Sequence, residues 1–139
     1  MTNIQIPFSQ TNLFSKLILD YISNDENVKA FYNYAPNIDA IEQIIQDKKK
    51  DLSADRHGNI DRKLLVKTID KQYYRNCQAS NKTQQNIQLL ENENTFCIVT
   101  AHQLNIFGGP LYYIYKIAQT IATCNQLIQK YPNYNFVPV

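Results

Sequence analysis

The sequence has few cysteines, histidines and glycines, and no large excess of charge. Three widely spaced cysteines without a C-x-x-C pair, together with two histidines, favour neither a disulfide framework nor a zinc site. The 14 basic and 12 acidic residues leave a formal net charge of +2, which indicates no nucleic-acid or membrane-surface partner. No run approaches the roughly 18 apolar residues of a membrane span, and no secretory signal is recognisable. We therefore expect a soluble cytoplasmic protein without a metal.

Two of the three glycines are adjacent, and they mark the most informative stretch of the chain. Gly108 and Gly109 follow a short apolar run at residues 96–99, which contains Cys97 and is typical of a buried strand. Glycine permits positive φ and close approach to the main chain, whereas Pro110 suits the first position of a helix. The stretch predicts a strand, a tight loop and a helix, with Cys97 as a small core residue.

The predicted loop is unusually polar for a simple connection. It contains Thr100, His102, Gln103 and Asn105. Sites in α/β proteins collect at the carboxyl ends of strands, and the following helix N-terminus favours a phosphate or a carboxylate. The loop matches neither G-x-x-x-x-G-K-[ST] nor G-x-G-x-x-G. The residues alone leave open whether Gly-Gly-Pro forms an anion site or only ends a loop and begins a helix.

Lys116 is a second candidate whose role the residues alone leave open. It lies four positions after Tyr112 and therefore shares a helix face with it near the loop. Lys116 is either a ligand for a phosphate or carboxylate, or an ordinary exposed lysine. His57, beside Gly58 in a polar stretch, is interpreted as an exposed turn residue.

The remaining pattern is mainly helical. Amphipathic helices are predicted at residues 13–22, with Thr11 or Asn12 as the cap, at 37–50, at 60–77 and at 83–91. A long helix from Pro110 is predicted to bury a stripe consisting of Leu111, Ile114, Tyr115, Ala118, Ile121, Ala122 and Ile128. The apolar residues 136–139 predict a second strand, parallel to the first. Because the sequence stops on this strand, we expect it to be the amino-terminal part of a larger protein.

The predicted fold class is α/β. A helical lead-in at residues 1–94 precedes the first βαβ unit of a Rossmann-like parallel sheet at residues 95–139, which forms an incomplete domain.

A family resemblance rests on the same stretch. Residues 100–116 read T-A-H-Q-L-N-I-F-G-G-P-L-Y-Y-I-Y-K, and F-V-P-V follows at 136–139. This resembles the bacillithiol biosynthesis cysteine-adding enzyme family, whose segment reads roughly T-G-x-Q-x-G-L-F-G-G-P-L-x-x-x-Y-K before a V-P-V strand. The sequence departs from that pattern at Ala101 and Asn105, where many members have glycine, and at His102, where many have glutamine. Asparagine can imitate glycine because it tolerates the left-handed region.

The resemblance implies a ligase that joins cysteine to glucosaminyl-malate in the last step of bacillithiol synthesis. It implies catalytic roles for His102 and Gln103, and it implies an adenine nucleotide, ATP or ADP, as the cofactor. The implied nucleotide-binding residues are Thr100, Gly108, Gly109, Pro110 and Lys116. It also implies a homodimer formed through the part beyond Val139. Two other hypotheses stay open, namely a non-catalytic helical interaction module and a nucleotidyltransferase-like nucleotide-binding domain.

Overall fold

A computed structural model describes residues 4–53, 61–76 and 79–139 of the chain. These residues form two compact units, Met1–His57 and Gly58–Val139, and each is described separately. No helix in the described ranges has the length and apolarity that crossing a membrane requires.

The first unit is helical, as the sequence predicts. It contains α1 (Phe8–Thr11), α2 (Lys16–Ser23), α3 (Glu26–Lys29), a 3-10 turn (Ile38–Ala40) and α4 (Ile41–Ser53). The predicted cap of α2 was wrong, because Ser15 accepts the Ile18 N–H whereas Asn12 ends α1 with a φ of 55°. The amphipathic pattern also predicts that Leu17, Ile18, Tyr21 and Ile22 of this helix form part of a core. That prediction was wrong, because these side chains are exposed.

The second unit contains two helices before the first strand. These are α5 (Arg62–Asn76) and α6 (Asn81–Leu89), and α6 begins directly after its cap, Ser80. Val66 of α5 and Ile87 of α6 pack with Leu90 and Val137 in one buried cluster. The predicted domain boundary between residues 94 and 95 stays a prediction. Helices α5 and α6, which precede that boundary, share this core with the second strand, which follows it.

The two strands pair as predicted. They are β1 (Thr95–Ile98) and β2 (Asn135–Pro138), which run parallel with Thr95 opposite Asn135. Between them lies α7 (Leu111–Lys130), the crossover helix that a parallel pair requires. The pairing continues past the strands, because Val139 N–H donates to the Ile98 carbonyl at 3.0 Å and Thr100 N–H donates to the Val139 carbonyl at 2.9 Å. The predicted loop therefore leaves β1 beside the carboxyl end of β2.

The face of α7 that packs inward differs from the predicted stripe. Thr120, Cys124 and Leu127 are buried, at i, i+4 and i+7, whereas the large apolar members of the predicted stripe are exposed.

Cys97 was also predicted to be a core residue and is exposed. Burial raises the pKa of the Cys124 thiol, which keeps it protonated as a small apolar residue of the core.

Arg62 connects α5 to the start of the sheet, and the sequence pattern gave no indication of it. Its Nη1 donates to the Leu90 carbonyl at 2.9 Å, to the Asn92 carbonyl at 3.2 Å and to the Thr95 carbonyl at 3.5 Å. These carbonyls lie in the turn between α6 and β1 and on the first residue of β1, where backbone acceptors need partners. The guanidinium therefore holds the turn that leads into β1.

The packing of α7 predicts unequal costs for two neighbouring truncations. Leu127 is 0% exposed, so Leu127→Ala should lower the free energy of unfolding by roughly 2–5 kcal/mol, because it removes buried methyl groups and leaves a cavity. Ile128 is 43% exposed, and Ile128→Ala should cost less than about 1 kcal/mol. Chemical denaturation of both variants measures the difference, and equal costs would contradict the inward face described for α7.

The Arg62 contacts predict a second stability effect. Arg62→Met should lower the free energy of unfolding by about 1–3 kcal/mol, because it leaves the Leu90 and Thr95 carbonyls without a charged donor. Lys63→Met, at the adjacent exposed position, is the matched control and should change stability by less than about 0.5 kcal/mol. Thermal unfolding monitored by circular dichroism compares the two, and an unaffected Arg62→Met variant would refute the anchoring role.

Candidate functional site

The candidate site is the connection from β1 to α7, residues 99–110, which we call the β1–α7 loop. Phe107, Gly108 and Gly109 all have positive φ, at 55°, 84° and 70°. Two consecutive glycines enter this region without a Cβ penalty, but Phe107 does not, so its backbone is strained. The loop is mostly exposed and is not walled off by packed side chains.

The start of α7 differs from the prediction at Pro110. Pro110 has extended backbone angles and stands at the cap position, so the first helical residue is Leu111. The Pro110 carbonyl accepts the Tyr113 N–H at 2.9 Å, and no side chain caps the helix. Pro110 therefore orients the entry into α7 from just outside the helix.

Asn105 has a different role from the one that the sequence predicts. It does not have positive φ, so it does not imitate a left-handed glycine. Instead its Nδ2 lies 2.6 Å from His102 Nδ1 and donates to the Gln103 carbonyl at 2.7 Å. A Cβ on Gly109 would lie 3.0 Å from the Asn105 Cβ, so the Asn105 side chain occupies the space that glycine leaves free. Asn105 thus contacts His102 and Gln103 and lies beside Gly109.

His102 is the centre of the polar contacts in the loop. Its Nδ1 lies 2.8 Å from the Gln103 carbonyl oxygen, and its Nε2 lies 2.5 Å from the Tyr112 hydroxyl. The ring also contacts Tyr113, with the ring centroids 5.2 Å apart. His102 is half-buried, whereas the Gln103 side chain is exposed. Gln103 therefore takes part in this cluster through its backbone carbonyl.

Lys116 also faces the loop. Its Nζ donates to the Ala101 carbonyl, which brings a positive charge to the segment between Thr100 and His102. Of the residues predicted for the site, Thr100, His102, Gly109 and Pro110 are half-buried, whereas Gln103 and Gly108 are exposed. One loop and the first turns of one helix thus contain all seven predicted residues.

Other clefts are found among the described residues of the second unit. One follows α6, from Asn81 to Asn92, and another lies between α6, α7 and β2. Neither is lined by a predicted site residue. His57, which was interpreted as an exposed turn residue, and Cys77, one of the three cysteines, lie outside the described residues.

Comparison with known proteins identifies the family. The sequence model described as "Bacillithiol biosynthesis BshC, N-terminal Rossmann-like domain" matches residues 1–139. This chain belongs to the BshC family. The match confirms both the family resemblance and the Rossmann-like α/β fold class that the sequence predicts.

Curated relatives agree with this assignment. Proteins that carry the provisional name cysteine ligase BshC are 46% identical in Flavobacterium psychrophilum and in Flavobacterium johnsoniae, over 96% of this chain and 24% of each relative. A relative of the same name in Cytophaga hutchinsonii is 35% identical over 97% of this chain and 24% of its own length. The chain thus spans about a quarter of the length of these BshC relatives. No solved structure matches it.

Tyr112 is the residue of the site whose role the sequence analysis did not identify. Helical spacing placed it on a face with Lys116, but nothing in the spacing indicated that its hydroxyl would contact His102. The only indication of this role in the sequence was that Tyr112 and Lys116, two polar residues, stand at i and i+4 in the first turns of a helix that follows a polar loop.

The crowding at Gly109 predicts a difference between two alanine substitutions. Gly108→Ala and Gly109→Ala both place a Cβ on a residue with positive φ, which costs roughly 1–2 kcal/mol of stability. A Cβ at Gly108 meets nothing within 4 Å, whereas a Cβ at Gly109 meets the Asn105 side chain. Gly109→Ala should therefore be the more destabilising of the two.

A double-mutant cycle tests the cause of that difference. Asn105→Gly removes the side chain that crowds Gly109, so the added cost of Gly109→Ala should become smaller in that background, whereas the cost of Gly108→Ala should stay the same. Urea denaturation of the single and double variants measures the coupling. Additive costs at positions 105 and 109 would contradict the described contact.

Proposed function

We propose that this chain provides the first loop of the substrate site of an enzyme that joins cysteine to glucosaminyl-malate in bacillithiol biosynthesis. The observation that carries the proposal is the β1–α7 loop of a BshC-family domain, at the carboxyl end of a parallel strand pair, where His102 contacts Tyr112 and Lys116 donates to the Ala101 carbonyl. Ligands of open α/β sheets bind at this end of the strands.

Amide formation requires an activated carboxyl group and a deprotonated amine. When bound, an adenine nucleotide, ATP or ADP, would supply the phosphate chemistry that activates the carboxyl group of the acid. The residues that we propose for it are Thr100, Gly108, Gly109, Pro110 and Lys116. Support comes from the glycine pair, which lets a ligand approach the backbone, and from the Lys116 ammonium at the Ala101 carbonyl.

We assign the proton-handling and orienting roles to His102 and Gln103. An imidazole exchanges protons near neutral pH, and a residue that is hydrogen-bonded within the loop keeps a fixed orientation. The compartment that we propose is the cytoplasm, and the oligomer that we propose is a homodimer formed by the part of the enzyme beyond Val139.

The decisive experiment measures product formation by the full-length protein from cysteine, glucosaminyl-malate and an adenine nucleotide. Gly109→Val should lower kcat/KM about 100-fold, because a branched side chain at positive φ beside Asn105 displaces the loop. His102→Ala should lower it by roughly the same factor, through loss of proton transfer. Formation of the cysteinyl product is followed by mass spectrometry.

Gln126→Ala provides the matched control. Gln126 is exposed on the same helix, away from the loop, and its substitution should leave kcat/KM within about twofold. Full product formation by both Gly109→Val and His102→Ala would refute the loop assignment. A wild-type protein that forms no product from these substrates would refute the ligase role itself.

A further inference from the structure

The outer edge of β2, which faces away from β1, has no strand beside it in the described part of the chain. Asn135 N–H donates to the Asn94 carbonyl at 2.9 Å. Val139 N–H donates to the Ile98 carbonyl at 3.0 Å, so every second residue of β2 pairs with β1. Because successive backbone groups of a strand alternate between its two edges, the N–H and C=O of Phe136 point to the outer edge. The sheet formed by the described residues has two strands and does not continue past this edge.

The backbone groups at this edge are buried. Phe136 is 3% exposed, so water has little access to its N–H and C=O. Neither group forms a backbone hydrogen bond with a described residue outside the β1–β2 ladder. Buried backbone donors and acceptors are nearly always paired in folded proteins, because leaving one unpaired costs about as much free energy as losing a hydrogen bond. The edge at Phe136 therefore requires a partner that supplies both an acceptor and a donor.

A cleft of about 640 Å³ runs along the same edge. Its floor is β2, and its walls come from α7 and from α5 with α6. Ile121 and Ile128 on the α7 wall are 46% and 43% exposed, and Tyr73 on the α5 wall is 39% exposed. Large apolar side chains therefore remain partly uncovered on both walls, and a suitable occupant is apolar towards both of them.

A β-strand meets the needs of the floor and of the walls together. Its backbone continues the ladder at Phe136, and its side chains alternate between the two walls. Strands of parallel sheets that helices cover on both faces are apolar on both sides, as these walls require. A small molecule also fits a volume in the range of roughly 300–1,000 Å³, but it does not extend a backbone ladder. Because the chain spans about a quarter of the length of its BshC relatives, such proteins contain ample sequence to provide a strand.

We propose that this cleft receives a β-strand from the part of a BshC protein beyond residue 139, and that the strand pairs with the outer edge of β2. The added strand accepts a hydrogen bond from the Phe136 N–H and donates to the Phe136 and Pro138 carbonyls. Pro138 has no N–H, so the new ladder lacks one hydrogen bond at that position. The pairing is therefore centred on Phe136, and the residues of the added strand beside it are apolar on both faces.

The first test identifies the occupant in the full-length protein. The photocrosslinking amino acid p-benzoylphenylalanine, placed at Asn125 on the α7 wall, should crosslink to a peptide beyond residue 139 of the same chain. The matched control places it at Gln126, an exposed neighbour outside the cleft lining, where that peptide should not be captured. Mass spectrometry of the digested monomer locates the crosslinked peptide, which should contain successive apolar residues.

The second test measures hydrogen exchange of single amides in the full-length protein. The Phe136 amide should exchange within about tenfold of the Val137 amide, because both are then paired. Ile121→Lys should speed Phe136 exchange about 100-fold, since docking the strand would bury an unpaired ammonium. Tyr115→Lys is the control, because Tyr115 is 67% exposed on α7 and does not line the cleft, and it should change that rate by less than about threefold.

The outcomes decide the proposal without any measurement of catalysis, so they are independent of the proposed ligase activity. A crosslink from Asn125 to a second copy of the protein, or to no peptide beyond residue 139, would overturn it. Equal capture of one peptide from Asn125 and Gln126 would do the same, as would a Phe136 amide that exchanges far faster than that of Val137. A crosslink specific to Asn125, together with Phe136 exchange that Ile121→Lys speeds, would establish the added strand.

Discussion

The parallel pairing of β1 and β2 is the constraint on which the second unit depends. Two parallel strands cannot be joined by a hairpin, so the chain must return along a crossover of a dozen or more residues. Here that crossover is α7, which packs against both strands through Thr120, Cys124 and Leu127. The same constraint leaves the β1–α7 loop at the carboxyl ends of both strands. The position of the candidate site is therefore a consequence of the strand pairing.

The hydrophobic pattern of α7 identified the helix but not the face of it that packs inward. The helix has apolar residues around most of its circumference, so a stripe drawn through the largest of them was a plausible core face. The sheet instead packs against a face that includes a threonine and a cysteine, and Thr120 meets its hydrogen-bonding need by donating to the Lys116 carbonyl at 2.9 Å. Hydrophobicity alone could not choose between the two faces, because the choice depends on the strands that α7 covers.

The β1–α7 loop combines strain with polar contacts. Positive φ is costly at Phe107, which lacks the freedom of glycine, and the nearby Asn105 side chain contacts His102 and lies beside Gly109. Asn105 and His102 are both departures from the family pattern, and in the structure they contact each other. The two departures therefore form one local arrangement, in which the side chain at position 105 supports the one at position 102.

The sequence by itself determined the order of strand, loop, helix and strand, the helical character of what precedes them, the family and the seven candidate site residues. Glycine scarcity, a polar loop and a long periodic segment are local features, and local chemistry is sufficient to interpret them. Only the tertiary structure decided which face of α7 is buried, that Arg62 holds the turn before β1, and that Tyr112 contacts His102. Each of these depends on groups that are distant in sequence or on the exact rotation of a helix, and residue spacing does not specify either.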